Sequence, residues 1–325
     1  MLDNFINIQD LRDLIDRGPK AVGQAASRLL SRKQRRIEAA WARTDSPPTN
    51  WWDIPAVRAR WNLLVSGNTD VDYHEYISQK WLKDRRLMRA LSLGCGTGHN
   101  ELAWARLGHF EYIDAHDLSE QRIRTAMAAA RKNDLADKIN YRVGDVFAIE
   151  LQDEHYDVIM VEQSLHHFTP LKEILLRIRN FLKADGYFIV DEFVGPTRFQ
   201  WTGRQLEAAN GFLSLLPAKY KTLWGSDAVK RRITRPSRLH MLLSDPSEAV
   251  ESDNIVRLLR QLFEVVELRE YGGNILHLLF NGIAHNFLSD DAETRSYLEI
   301  AFKIEDLLLD SGDMRSDFIV AVCRK

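Results

Sequence analysis

The 325-residue sequence has few cysteines, no long uncharged hydrophobic run and no excess of either charge. Its two cysteines, Cys95 and Cys323, are too few for a disulfide framework and favour a reducing compartment. No stretch approaches the length of a membrane span, and residues 1–20 lack the apolar segment of a secretion signal. We therefore expect a cytoplasmic protein that does not span a membrane.

The charge balance argues against a polyanionic partner. Lysine and arginine total 44 residues against 46 for aspartate and glutamate, a formal net charge of −2, so no overall positive field attracts nucleic acid. The 45% of hydrophobic residues is typical of a folded protein, and the length allows one catalytic domain with helical additions. We expect a small-molecule partner, and the sequence leaves the oligomeric state open.

Short apolar runs alternate with helical patterns in the middle of the chain. The runs that predict strands are 91–93, 111–115, 139–143, 156–161 and 187–193, and two more follow at 263–268 and 318–322. Strands that alternate with helices indicate βαβ units, so we predict a doubly wound, mostly parallel α/β sheet. Residues 88–195 would form its ligand-binding core, and residues 263–325 would complete it.

Two regions flank this predicted core. Residues 1–87 are predicted to be a helical lead-in whose aromatic-rich part, 51–85, either packs on the main domain or closes over a ligand as a lid. Residues 196–262 are interrupted by prolines and are predicted to be a mostly helical insertion that covers the acceptor.

The strongest motif is a glycine-rich turn between the first strand and a helix. It contains Gly94, Cys95, Gly96 and Gly98, and glycines let the backbone lie against a ligand and adopt positive φ. The spacing G-x-G-x-G differs from the dinucleotide fingerprint G-x-G-x-x-G. The turn resembles the first motif of the class I S-adenosylmethionine-dependent methyltransferases. That resemblance implies that these four residues bind S-adenosylmethionine.

An acidic residue follows the second predicted strand at the position where such folds hold a ribose. Asp117 is 19 residues after Gly98, and its carboxylate oxygens can accept hydrogen bonds from two ribose hydroxyls. Leu118 beside it is included among the cofactor-binding candidates. Asp114 is the alternative acid. Asp117 could instead be a loop acid beside Ser119, which can cap the following helix.

A second acid follows the third strand, after Gly144. The resemblance implies that Asp145 accepts the adenine amino group and that Val146 contributes a backbone N–H and an apolar contact to the base. The alternative is a plain Gly-Asp turn.

The ends of the fourth and fifth strands supply the catalytic candidates. Ligands of open α/β sheets lie beyond the carboxyl ends of the strands, so we assign Glu162 to the cofactor and expect His166, His167 or Glu192 to serve as the base. The histidines could instead only shape the cofactor pocket, and Glu192 could be a solvated strand-end carboxylate. No metal is expected, because two adjacent histidines cannot easily reach one ion and no further Cys/His cluster exists.

Two more features carry predictions. Tyr73 and Tyr76 could place aromatic faces near the sulfonium of the cofactor. The run Lys230–Arg238 holds five cations in nine residues, which either bind a phosphate or carboxylate of the acceptor or form a solvated face.

The resemblance also implies the strand order 3-2-1-4-5-7-6 with an antiparallel last strand, and methyl transfer to a small acceptor. We expect an oxygen acceptor, with nitrogen as the alternative, on a saccharide-like or anionic metabolite. A non-catalytic S-adenosylmethionine-binding partner protein is the second hypothesis. An NAD-dependent reductase is the third: Tyr76 and Lys80 match its Tyr-x-x-x-Lys pair, but they precede the glycine turn instead of following it.

Overall fold

The computed structural model describes residues 47–325, so most of the predicted lead-in, residues 1–46, lies outside the described residues. A seven-stranded sheet with the order β3-β2-β1-β4-β5-β7-β6 forms the centre. Its strands are β1 (Met88–Leu93), β2 (Phe110–Asp117), β3 (Ile139–Val143), β4 (Tyr156–Glu162), β5 (Leu182–Phe193), β6 (Glu264–Gly272) and β7 (Phe318–Arg324). Strands β1 to β5 pair in parallel, and β7 pairs antiparallel with β5 and β6. The predicted doubly wound fold and strand order are confirmed.

Helices cover both faces of this sheet and extend beyond it. In chain order they are α1 (Pro55–Ser66), α2 (Tyr73–Ile77), α3 (His99–Arg106), α4 (Glu120–Lys132), α5 (Leu171–Phe181), α6 (Gly203–Leu215), α7 (Arg238–Ser244), α8 (Ile255–Leu262), α9 (Leu276–Phe280) and α10 (Ala292–Asp310). The hydroxyl of Ser119 accepts the Arg122 backbone N–H, so it caps α4 as expected. Helix α5 buries the apolar stripe that predicted it. No helix between residues 47 and 325 has both the length and the apolar character needed to cross a bilayer.

Most strands run a few residues beyond their predicted bounds, and two other differences have identifiable reasons. Strand β5 begins at Leu182 instead of 187, because its first residues include Lys183 and Asp185, which interrupt the apolar pattern of a buried strand. Helix α9 was not predicted. Its residues Leu276, Leu278, Leu279 and Phe280 are all buried, so the segment lacks the polar face that marks a surface helix.

The aromatic segment before β1 is partly core. Trp51 is fully buried, and its ring centroid lies 4.6 Å from that of Trp61 and 4.9 Å from that of Phe318 on β7. This half of the segment therefore packs on the sheet, in agreement with the first of the two alternatives for residues 51–85.

The region predicted as an insertion has two parts. Helices α6 and α7 and a short antiparallel bridge between Thr222 and Val229 lie in the connection from β5 to β6, and the bridge is not part of the seven-stranded sheet. Helix α8 buries Ile255, Leu258 and Leu259 in the same apolar cluster as α5. The last helix of the predicted insertion is thus part of the packing of the sheet, and the domain boundary at 262 stays a prediction.

Candidate active site

The glycine turn connects β1 to α3, and its three glycines have different surroundings. All three have positive φ: +77° at Gly94, +56° at Gly96 and +84° at Gly98. A Cβ on Gly94 would lie 2.5 Å from the Cβ of Ser164, and one on Gly98 would clash with the side chain of Tyr141. A Cβ on Gly96 would meet nothing closer than 3.6 Å. Gly94 and Gly98 therefore pack against protein, whereas Gly96 leaves open space above the turn.

The first of the two strand-end acids supports this turn directly. Asp117 ends β2, is only 1% exposed, and accepts the backbone N–H groups of Gly96 at 2.9 Å and Ser119 at 2.7 Å. Burial raises its pKa, and the two backbone hydrogen bonds oppose that shift. Leu118, between Asp117 and Ser119 in the chain, is half-buried. Asp117 thus fixes the glycine turn in place, a role that the sequence did not suggest, and its predicted contact with the ribose stays a prediction.

The second acid lies in an ordinary turn. Asp145 is exposed and its side chain accepts the backbone N–H of Phe147 at 2.9 Å, while Val146 is buried. The Gly-Asp turn that the sequence offered as an alternative is therefore present. It follows β3 at the same edge of the sheet as the glycine turn, because Val143 is the register partner of Asp117. The predicted adenine contacts stay predictions.

Glu162, at the end of β4, is held by side chains from two other elements. Its Oε1 accepts the hydroxyl of Tyr73 at 2.8 Å and the indole N–H of Trp104 at 3.0 Å, and its side chain is 3% exposed. Tyr76 lies elsewhere: its hydroxyl donates to Glu267 on the edge strand β6. The structure therefore brings Tyr73 to the strand-end carboxylates, whereas Tyr76, on the same helix, contacts Glu267 on the edge strand β6. Lys80 also binds Glu267, so the Tyr-x-x-x-Lys pair belongs to that edge.

A buried polar group beside Glu162 was missed at the sequence level. Asp191, the register partner of Glu162 on β5, accepts the hydroxyl of Tyr271 at 2.5 Å and the side-chain amide of Gln163 at 3.1 Å. Burial raises the pKa of Asp191 to about 7. Gln163 has a φ of +51°, a conformation that costs energy in a residue with a side chain. An acid inside the apolar run of β5 was the one available signal.

Glu101 on α3 was likewise missed as a site residue. It is 1% exposed, accepts the Ser92 hydroxyl at 2.6 Å, and burial raises its pKa to about 8. It lies directly after the glycine turn, and coulombic repulsion from Glu162 adds to the shift. Nearby, burial also raises the pKa of Cys95 well above its usual range, so this thiol is held protonated.

The histidine pair after β4 is bound to Glu192. Nδ1 of His166 forms a short hydrogen bond with Glu192 Oε1, and Nε2 lies 3.4 Å from Glu248 Oε1. Glu192 is fully buried and also accepts backbone N–H groups, including that of Leu165 at 2.6 Å. The alternative of a solvated strand-end carboxylate is therefore wrong for Glu192. Burial opposes the charge of His166, but Glu192 outweighs it and raises the pKa to about 10.

His167 is in the opposite electrostatic state. Burial lowers its pKa to about 4, and the neighbouring charge of His166 acts in the same direction.

The polar side chains at these strand ends form two separate groups, one around Asp191 and one around Glu192. Side chains alternate between the faces of a strand, so these adjacent residues of β5 point to opposite sides. Asp191 contacts Gln163, and Glu192 contacts His166.

The basic run Lys230–Arg238 divides between internal and surface positions. Lys230 Nζ donates to the backbone carbonyls of Leu278, Leu279 and Asn281, and burial lowers its pKa to about 7. Arg235 donates to the Trp201 carbonyl. The remaining cations, Arg231, Arg232 and Arg238, are exposed. Part of the run thus secures the region to its neighbours, and the predicted anion site stays a prediction.

Comparison with known proteins identifies the kind of domain that contains these strand ends. A family model described as a methyltransferase domain matches residues 91–190, from β1 through most of β5. These residues form a class I methyltransferase domain. The resemblance of the glycine turn is thereby confirmed, and S-adenosylmethionine is the cofactor of this domain. The open glycine, the two strand-end acids and the buried Glu162 are compatible with such a ligand, because they combine close backbone approach with hydrogen-bond acceptors.

Individual relatives agree with this assignment over the same part of the chain. An uncharacterised methyltransferase of Bacillus subtilis is 22% identical over 33% of this chain and 42% of its own length. A malonyl-[acyl-carrier protein] O-methyltransferase of Bacillus cereus is 30% identical over 35% of this chain and 40% of its own length. The matched segment thus spans about two fifths of each of these relatives.

One solved structure shares the fold over most of both chains. A geranyl diphosphate methyltransferase, solved with its diphosphate ligand and sinefungin, covers 90% of this chain and 99% of that one. Its TM-score is 0.51 at 12% sequence identity. At that identity the likeness concerns the fold alone.

Proposed function

We propose that this chain is an S-adenosylmethionine-dependent methyltransferase that acts on the oxygen of a small, hydroxylated acceptor. The observation that carries the proposal is the open face of the glycine turn at Gly96, held by Asp117 and adjoining the strand ends of β3 and β4. Bound there, the cofactor supplies an electrophilic methyl group. The protein's own contribution is to hold the cofactor, orient the acceptor and exclude water.

His166, His167 and Glu192 are the base candidates from the sequence, and the structure adds Asp191. Glu192 already accepts hydrogen bonds from His166 and from backbone N–H groups, so it is committed to holding that turn. His166 holds a proton between two carboxylates, so it is not a base at neutral pH. His167 is neutral but weakly basic, since its pKa is about 4. Asp191 has a pKa of about 7, which is near the optimum for a base at neutral pH, and it is the register partner of Glu162 on the neighbouring strand. We therefore propose Asp191 as the base. We propose that His166 positions the turn after β4 through its hydrogen bond to Glu192.

The polar side chains at the ends of β4 and β5 support a hydroxylated acceptor more than an apolar one. Carboxylates and hydroxyls from Tyr73, Glu162, Asp191 and Tyr271 meet at the carboxyl ends of β4 and β5. Within the described residues, Glu162 Oε2 is buried without a hydrogen-bond partner, and a substrate hydroxyl that donates to it would remove the cost of an unpaired acceptor. The Bacillus cereus relative is named as an O-methyltransferase, in keeping with transfer to oxygen.

Calorimetry and product analysis test the proposal separately. Purified protein titrated with S-adenosylhomocysteine is expected to bind it one to one, and titration with NAD is expected to give no heat of binding. Incubation with S-adenosylmethionine and a panel of hydroxylated acceptors is then expected to give S-adenosylhomocysteine and an O-methylated product. Binding without turnover on any acceptor would favour the non-catalytic alternative, and binding of NAD alone would overturn the proposal.

A further inference from the structure

We propose that His166, His167 and Glu248 form a binding site for a divalent transition-metal ion. One ligand atom of each side chain lies within 4.8 Å of the others. The sequence argued against this site because adjacent histidines do not easily reach one ion. In the structure they lie in a 3₁₀ turn, Leu165–His167, that brings their ring centroids to 4.1 Å with the ring planes tilted by 40°.

The hydrogen bond behind His166 leaves one ring nitrogen for an ion. Glu192 accepts from Nδ1 and from the backbone N–H groups of Ser164 at 3.0 Å and Leu165 at 2.6 Å. A carboxylate that collects donors in this way is an acceptor, so Nδ1 carries a hydrogen, and an ion that displaces the second proton of the ring would bind at Nε2. A carboxylate behind a ligating histidine is the usual arrangement in metal sites, where it orients the ring and raises its basicity.

His167 has the same tautomer for a different reason. The hydroxyl of Ser247 donates to Asp245 Oδ1 at 2.6 Å, so its oxygen acts as the acceptor towards His167 Nδ1, 3.3 Å away. Nδ1 therefore carries the hydrogen, and Nε2 is the ligand atom. Both rings are held from behind, and both Nε2 atoms are directed to the same carboxylate.

That carboxylate comes from the segment between α7 and α8. Glu248 Oε1 lies 3.4 Å from Nε2 of His166, and Oε2 lies 3.9 Å from Nε2 of His167. Two imidazoles and one carboxylate are the donor set of catalytic zinc sites and of mononuclear iron(II) sites. Such an ion requires each ligand atom to lie ~2.0–2.2 Å from it, and we expect small side-chain rotations to bring the three atoms to that distance. Glu248 is 23% exposed, so solvent and an entering ion can reach the site.

An ion held by three protein atoms keeps at least one coordination position for another oxygen. The proposed function places the acceptor at Asp191, on the opposite side of β5 from Glu192. The metal site itself does not depend on that function. The competing explanation is that the cluster holds a proton instead, with His166 as an imidazolium between Glu192 and Glu248.

Metal titration of the full chain, without S-adenosylmethionine, tests the proposal. Chelator-stripped protein is expected to bind one equivalent of Zn²⁺ or Co²⁺ by calorimetry, and Co²⁺ should show the visible absorption of low-coordinate nitrogen and oxygen ligation. His167→Gln and Glu248→Gln are each expected to abolish the one-to-one site. Glu192→Gln should weaken it about 10–100-fold, as removal of a carboxylate behind a ligand does. His240→Gln, an exposed histidine on α7, is the matched control and should bind as the wild type.

The proposal is overturned if stripped wild-type protein takes up no stoichiometric metal, or if uptake is unchanged in both ligand variants. X-ray absorption of the zinc-loaded wild type decides the case if a variant fails to fold: two imidazoles in the first coordination shell support the site, and none overturns it. A nitrogen-15 spectrum that shows His166 Nε2 still protonated in excess zinc would favour the proton. Each of these failures leaves the binding of S-adenosylhomocysteine unaffected, so it is separate from failure of the proposed function.

Discussion

Replacement of Gly96 by alanine separates ligand binding from stability. The φ of Gly96 is +56°, and the nearest atom to an added Cβ is Arg122 Nη1 at 3.6 Å, an ordinary contact. Gly108, between α3 and β2, has a φ of +74° and nothing within 4 Å of an added Cβ. Both substitutions therefore cost only the left-handed conformation of an alanine, about 1–2 kcal/mol. Gly108→Ala is the matched control for Gly96→Ala.

The two variants should differ when the cofactor is added. A ligand that lies against the open glycine would meet the new Cβ of Gly96→Ala, whereas Gly108 lies in a different turn. We expect affinity for S-adenosylhomocysteine to fall at least tenfold, a loss of about 1.4 kcal/mol, in Gly96→Ala. We expect no change in Gly108→Ala. Urea unfolding measures the stability of both variants, and calorimetry measures their affinity.

Two results would refute this reasoning. Wild-type affinity in Gly96→Ala would mean that the ligand does not lie against the turn at this glycine. A much larger loss of stability in Gly96→Ala than in Gly108→Ala would mean that the open space above Gly96 is needed by the protein itself.

Three further substitutions test other parts of the site and fold. Asp117→Asn removes one acceptor from the pair that holds the turn, so we expect a loss of about 1–3 kcal/mol in urea unfolding and weaker binding of S-adenosylhomocysteine; unchanged values would contradict the positioning role. Tyr73→Phe deprives the Glu162 carboxylate of one donor and should cost about 1.5–3 kcal/mol of stability; a neutral result would mean that water replaces the hydroxyl. Burial raises the pKa of Asp317 to about 8, so the folded state retains a proton that the unfolded chain releases near pH 4, and stability should fall as pH rises between those values by up to about 1.4 kcal/mol per unit. Asp317→Asn should flatten that decline in thermal unfolding, and an identical slope in the variant would assign it to other groups.

The sequence predicted the part of the fold that depends on neighbouring residues. The bounds of β3, residues 139–143, agree with its apolar pattern, and Ser119 caps α4 where a hydroxyl precedes the helix. The glycine turn is equally local, because positive φ and the absence of a Cβ are properties of single residues. Strand ends of a parallel sheet meet at one edge, so the pattern also brought Asp117, Asp145 and Glu162 to the same edge.

Contacts between distant segments were not predictable in this way. Glu248 faces His166 and His167 from another part of the chain, and Tyr271 reaches Asp191 across 80 residues. No local motif marks either partner. Burial also shifts the pKa values of the residues that these partners contact: it raises the pKa of Asp191 to about 7 and lowers that of His167 to about 4.

The sequence by itself determined the succession of strands and helices and the glycine turn, because these follow from short patterns whose geometry is set by their own residues. The strand order and the class of cofactor came from the resemblance of that turn to a known family. The tertiary structure alone decided which carboxylates and histidines meet, which of them keep a proton, and which glycine faces open space. Those properties depend on burial and on side chains from separate elements, and neither is encoded in the spacing of neighbouring residues.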